Sequence, residues 1–408
     1  GIIAYVNDVG KTASELPYSE FFSDGQSVSY SYVSPVLSAV EGKRYRWDST
    51  SGLGQALQSN IFTITESGTL TSSYITQFKL TITSAHNSPE PAAGEHWYDV
   101  GTSITASVTS PADDDGAGTR YRCTGWIGTE SIPASGTDVT ATFTLNEASS
   151  ITWNWKAQYL VTFKQAGLDA SASGTVLIVN ESAKTYGNLP FSEWIDENDQ
   201  LTYGYENIVS SSEAGKRFRL QNVTGPASPL TVTGPVTVSG NYVTQYYLTV
   251  NTNPSEVLTL NPAAVSGEGW YDVGVTAIVN ADQLFDKVTD QSRYDFRYWT
   301  GASPTGIGNQ AEVVVDSPKT ATANYRLQYK ITFDQIGVGS DFTGAIVRID
   351  GTNYDVANLP KPFWWDNAST HDFAFNTPLT IGSKRYVWAV TSGLSSSPSG
   401  SITVAVSE

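Results

Sequence analysis

The residues best suited to chemistry are few and scattered. The three histidines, His86, His96 and His371, lie far apart, and the one cysteine, Cys123, stands alone. A lone cysteine makes neither an internal disulfide nor a cysteine-based metal site, and it reads as a small buried hydrophobe rather than a nucleophile. G-x-S-x-G, P-loop, H-E-x-x-H and zinc-ligand spacings do not occur in the sequence. Carboxylates are plentiful, and a pair about 5 Å apart could cleave a glycosidic bond, but no spacing singles one out. "DDDG" at 113–116 gathers oxygens in one loop, as a hard cation requires. It lacks the alternate spacing and distal Glu of an EF-hand, so a solvated acidic loop is the expectation. No catalytic residue, metal or cofactor is expected.

Binding chemistry has two candidates. "PFWWDN" at 362–367 sets Trp364 and Trp365 beside Phe363, and aromatic rings stack on the apolar faces of sugars. Rings also stand at the matching places of "EFFSD" (20–24) and "EWIDE" (193–197). Recurrence of that kind argues for packing, with Trp365 the ring to test for exposure. Three N-glycosylation sequons begin at Asn180, Asn222 and Asn367, each near an expected turn or strand end.

Composition narrows the partners. The net charge is −17, from 23 basic and 40 acidic residues, with no basic cluster. Phosphate backbones would repel such a chain, so nucleic acid is excluded as a partner. No run of eighteen apolar residues is present, so no direct membrane insertion is expected of this segment. Methionine is absent, position 1 included, which reads as a processed or excised piece of something longer.

The elements that would position these groups repeat. "YITQFKLTI" (74–82), "WKAQYLVTF" (155–163), "YVTQYYLTV" (242–250) and "YRLQYKITF" (325–333) share a nine-residue pattern. Its fixed points are Tyr74, Gln77 and Phe78; Trp155, Gln158 and Tyr159; Tyr242, Gln245 and Tyr246; and Tyr325, Gln328 and Tyr329. Between these nonamers two module types alternate. Type A carries "LPYSEFFSD", "LPFSEWIDE" or "LPKPFWWDN" ahead of "GKRYRW", "GKRFRL" or "SKRYVW". Type B carries "GEHWYDVG" or "GEGWYDVG" ahead of "RYRCTGWIG" or "RYDFRYWTG". His96 becomes Gly269 in the second B copy, so a function of that motif cannot need it. Cys123 aligns with Phe296, and Trp126 and Trp299 read as core. The Lys–Arg pairs 43–44, 216–217 and 384–385 are expected to meet acidic groups of a neighbouring strand or module.

Length suggests two to four domains, and the repeat refines this to five modules: 1–76 (A), 77–157 (B), 158–244 (A), 245–327 (B) and 328–408 (A). Short β-branched runs bounded by Gly, Pro, Ser or Asp predict an all-β fold of tandem Ig-like β-sandwiches. The nonamers alternate with a period of two and contain no Gly, Pro or Ser at the boundary positions. One strand is therefore expected to run through each boundary, and stiff joints in series predict an elongated rod.

The type B pattern "GEGWYDVGVTA…RYWTG…TATANY" is similar to divergent internalin-type B-repeats. Its alternation with "YLVTFKQAGLD…GTVLIV…LP…W…GKRF" resembles large tandem-repeat cell-surface proteins of archaea. The resemblance implies an extracellular, cell-surface protein: a filament, sheath, stalk or surface layer whose partners are copies of itself or flanking modules. The alternative is an adhesin that presents A-module aromatics to glycans. "GIIAYVND" at the start aligns with "GTVLIVNE" (174–181), so the first A module is expected to lack its opening strand. A neighbour's strand could then complete it head to tail. "SITVAVSE" at 401–408 is expected to stop just short of a fifth boundary strand.

Overall fold

Short apolar-alternating runs become strands throughout the computed structural model, which describes residues 1–405. The last three residues of "SITVAVSE" lie outside the described residues. Among those described, the one α-helix is the five-residue Glu256–Leu260. The chain is therefore all-β. Alternation is visible residue by residue. Thr140–Leu145 buries every second side chain, and it pairs antiparallel with Thr102–Ser107, which turns Ile104 and Ala106 inward.

Buried apolar residues gather into separate clusters, each drawn from one continuous stretch of sequence. Ala4, Tyr30 and Tyr32 form one near the start, and residues between Leu80 and Trp153 form the next. Two clusters fall between Val161 and Tyr242, one between Leu248 and Tyr325, and one between Phe333 and Val404. Cys123, Trp126, Phe296 and Trp299 are all buried.

Four strands are much longer than the rest: β1 (Thr71–Ser84), β2 (Ser149–Ala166), β3 (Val236–Asn253) and β4 (Lys319–Phe333). Each holds one nonamer, which in β4 reaches the strand's last residue, and passes from one apolar cluster to the next without a break. They also pair with one another. The second half of β1 lies parallel to the first half of β2, from Leu80–Ser149 to Ser84–Trp153. In the same way β2 meets β3 over Val161–Ala166 and β3 meets β4 over Leu248–Asn253. Each intervening stretch is thus closed by its own first and last strands, and hydrogen bonds connect seventeen strands into one sheet.

Candidate functional site

The nonamer glutamines are the most repetitive feature of the structure. Gln77, Gln158, Gln245 and Gln328 are 6–8% exposed, although each lies on the strand face opposite the apolar one. Register explains the position. At each glutamine the long strand exchanges partners, and the glutamine is paired on both sides at once. Gln77 sits between Arg44 and Asp99, Gln158 between Arg120 and Asp196, Gln245 between Arg217 and Asp272, and Gln328 between Arg293 and Asp366.

The side chains join across the three strands. Arg44 Nε donates to Gln77 Oε1 at 2.8 Å, and Gln77 Nε2 donates to Asp99 Oδ1 at 2.8 Å. The same two bonds recur at Gln158, at Gln245 and, at 2.9 and 3.0 Å, at Gln328. An amide suits the place because it accepts at one end and donates at the other, so it links a guanidinium to a carboxylate with both polar ends satisfied. A second arginine, two residues beyond the first, grips the same carboxylate through two nitrogens. This is Arg46 on Asp99, Arg122 on Asp196 and Arg219 on Asp272. The fourth boundary differs, for Asp295 stands in that position and Arg297 and Arg326 bind Asp366 instead.

A tryptophan covers each cluster. The guanidinium carbon of Arg44 lies 4.3 Å from the ring of Trp97, and Arg120, Arg217 and Arg293 lie 4.2, 4.4 and 4.3 Å from Trp194, Trp270 and Trp364. Stacking desolvates the guanidinium, and burial holds Arg44 and Arg217 below the usual arginine range. The paired arginine followed by the glutamine amide holds the Asp99 carboxyl below its ordinary value, and Asp196 and Asp272 are lowered mainly by Arg122 and Arg219. At Asp366 burial pushes upward and is outweighed by Gln328, Arg326 and Arg297.

Backbone bonds bracket the same point. Lys79, Leu160 and Tyr247 donate to the carbonyls of Gly42, Gly118 and Gly215 at 2.9 Å. Val100, Glu197, Val273 and Asn367 donate to Thr76, Ala157, Thr244 and Leu327 at 2.8–2.9 Å. The glycines are required for space as well as for positive φ. A Cβ on Gly42 would stand 2.5 Å from Ala148 Cβ, and one on Gly215 would stand 3.0 Å from Pro318.

The expected aromatic platform takes a different form. Trp365 is 7% exposed, packed against Phe333 and Phe363 and stacked on His371 at 3.8 Å. It is core, because its strand pairs Trp365 with Tyr329 and turns both rings toward the same apolar cluster. Trp364 faces the opposite way, with one ring face taken by Arg293. Trp365 therefore presents no open ring for a sugar. Among the sequons, Asn180, Asn222 and Asn367 are all exposed. Asn180 Oδ1 accepts from the Thr202 backbone at 3.0 Å, and Asn222 Oδ1 accepts from Asn241 at 2.6 Å.

One catalytic-looking geometry is present. His371 Nδ1 is 2.6 Å from Asp350 Oδ2, and Nε2 is 2.8 Å from Ser369 Oγ. Ser369 donates its only hydroxyl proton to the Asp366 carbonyl at 2.6 Å, so the imidazole meets a lone pair rather than a proton it could remove. His86 is held similarly, bonded to Asp113 at 2.8 Å and stacked on Tyr121 at 3.6 Å. Asp115 accepts from Ala117 and Thr119 within its own loop. Among the described residues no three His, Cys, Asp or Glu side chains are grouped to hold a metal, and no helix is long and apolar enough to cross a membrane. Compared with family models, curated proteins and solved structures, the chain has no match.

The arginine, glutamine, aspartate and tryptophan of each cluster were all visible in the sequence. What tied them together was not, because a period of two sets each glutamine opposite the apolar face without naming the strands beside it. The recurrence of Q and W-x-D once per boundary, with R-x-R at the first three and R-x-D at the fourth, was the signal that could have joined them.

Proposed function

We propose that the chain is a non-enzymatic structural protein of the cell exterior, built as five tandem Ig-like β-sandwich modules in A-B-A-B-A order. It serves as a segment or subunit of a filament, sheath, stalk or surface layer. The fourfold cluster of arginine, glutamine, aspartate and tryptophan across an unbroken strand is the observation that carries this reading. A joint built from one continuous strand, flanked on both edges and locked by charge-assisted bonds, has little freedom to bend, and such joints in series make a spacer. The accessible surface, 22067 Å², supports an extended form, since a compact 43.9 kDa chain would expose about 15,000 Å². Modules of about 30–40 Å, from strands of about ten residues, give a rod of about 150–200 Å.

The first module offers a route to assembly. No strand of the described residues pairs with Thr71–Thr76 on the side away from Lys43–Ser51, and a neighbour's strand can add there head to tail. Negative-stain electron microscopy of the purified chain tests the whole reading. Stiff rods of the stated length support it, and fibres with that axial repeat add head-to-tail assembly. Compact particles would sink it.

A further inference from the structure

Lys216 stands on the apolar side of its strand. In Lys216–Thr224, Arg217 and Arg219 take the face of the boundary cluster, so the period of two sends Lys216 inward with Phe218 and Leu220. Its side chain is 8% exposed, and among the described residues it is the one buried lysine. Nζ lies 5.5 Å from the Phe218 ring. A buried ammonium is tolerated only when it is paired. Two carboxylates meet this one, Asp169 Oδ2 at 2.8 Å and Glu213 Oε1 at 3.1 Å.

The groups around the amine have the layout of an acyl transfer. Asp169 Oδ1 accepts from the Ser171 N–H at 2.9 Å and from Ser171 Oγ at 2.6 Å. Ser211 Oγ donates to Ser171 Oγ at 2.9 Å and so keeps the Ser171 proton turned to Asp169. One carboxyl oxygen thus faces two donors, as an oxyanion needs, and the other faces the nucleophile. An amine 2.8 Å from Oδ2 is at most about 4 Å from the carboxyl carbon, one C–O bond away. The Lys216 ammonium, followed by the Ser171 hydroxyl, pulls the Asp169 carboxyl down to about 2, so the pair rests as two ions.

From this geometry we propose that Lys216 and Asp169 condense into an intramolecular amide, a covalent link between the turn after β2 and the strand beside β3. Within the pair a proton first passes from Lys216 Nζ to Asp169 Oδ2, which gives a neutral amine and a neutral acid. The nitrogen attacks the carboxyl carbon, and the charge that develops on Oδ1 is met by the Ser171 donors. Glu213 takes a second proton from the nitrogen and returns it to the Oδ2 hydroxyl. The carbon–oxygen bond breaks, one water leaves, and Glu213 ends as the carboxylate it was. Asp169 is half exposed, so the water has a way out. Holding amine and acid in one fold supplies an effective molarity of about 10⁵ M or more, which favours the amide over the separate ions.

The last stretch supplies a contrast. Lys384 Nζ meets Asp341 Oδ2 at 2.8 Å, but Lys384 is more than half exposed. Its strand is reached from Leu379–Ile381 through Gly382 and Ser383 alone, where the middle stretch has 212–215 with Glu213 among them. Without a second carboxylate on the amine, Lys384 and Asp341 are expected to remain an ion pair. The link rests on these contacts and not on the rod, so the mass and microscopy experiments can fail independently.

Intact-mass spectrometry of the full chain is the test. The chain is expected to read one water below its sequence mass, and trypsin to release 165–184 joined to 185–217. Lys216→Arg and Asp169→Ala should each restore the full mass. Glu213→Gln should lower the linked fraction at least about tenfold, with amide exchange over 191–196 still slow to show that the variant folds. The full sequence mass in the unaltered chain would overturn the proposal. A lost water that survives Lys216→Arg would overturn it too, since it would then come from dehydration elsewhere. An unchanged linked fraction in Glu213→Gln would overturn the proton path.

Discussion

Residues 16–23 and 189–196 begin alike, LPYSEFFS against LPFSEWID, yet they end in different structures. In the middle stretch Phe191–Asp196 is a strand, paired with β2 from Phe163–Phe191 to Gln158–Asp196. In the first stretch no strand forms over 16–23, and Phe21, the counterpart of the arginine-stacked Trp194, is fully exposed. The middle segment lies beside Tyr159–Phe163, and the first segment has no such neighbour among the described residues. Strand propensity is chiefly the capacity to fit a pleated, half-covered surface, and an unpartnered segment has no such surface to fit. The same absence removes Gln158, Arg120 and the bond to Asp196, whose counterpart in the first stretch is Ser23.

The difference between the two can be abolished from either side. Val161→Pro removes a donor from the centre of β2 and is expected to cost about 3 kcal/mol or more. Amide exchange over 191–196 should then rise to the rate seen over 18–23. If 191–196 stays protected, pairing with β2 is not what orders it.

Gln158→Ala is a smaller perturbation, expected to cost about 1–3 kcal/mol, because it leaves the Arg120 guanidinium and an Asp196 oxygen without the amide between them. Denaturant unfolding followed at the middle stretch should report the loss, with the first stretch unchanged. An unaffected midpoint would mean that water replaces the amide at no cost.

Acid should act in the same direction and less strongly. Asp196 is held below its ordinary value, so its contribution is present in full above about pH 4, near the unfolded carboxylate range. It fades as the pH falls toward the lower native value. Exchange over 191–196 is therefore expected to quicken relative to 18–23 as the pH falls below about 4, while 18–23, with Ser23 in that place, shows no matching step. Identical acid profiles for the two segments would separate the carboxylate from the order of the strand.

Much of this was legible in the sequence. Alternating β-branched and aromatic runs, punctuated by Gly and Pro, decide strand against helix locally, because the period of two is a property of the extended backbone. Recurrence of the nonamers located four breaker-free segments, and each lies within one uninterrupted strand of 14 to 18 residues. Alternation also has a limit, visible at Trp364 and Trp365. Both read as rings near an aspartate, and only the packing partners show Trp365 in the core and Trp364 under Arg293.

By itself, then, the sequence determined the all-β character of the chain, the period of its repeats and the long strands that link its apolar clusters. The tertiary structure alone decided that Gln77, Gln158, Gln245 and Gln328 are buried between an arginine and an aspartate, and that the "LP" segment is a strand in one place and not in another. The physical reason is common to both. Burial and pairing depend on which strands lie on either side, and those neighbours are tens of residues away along the chain.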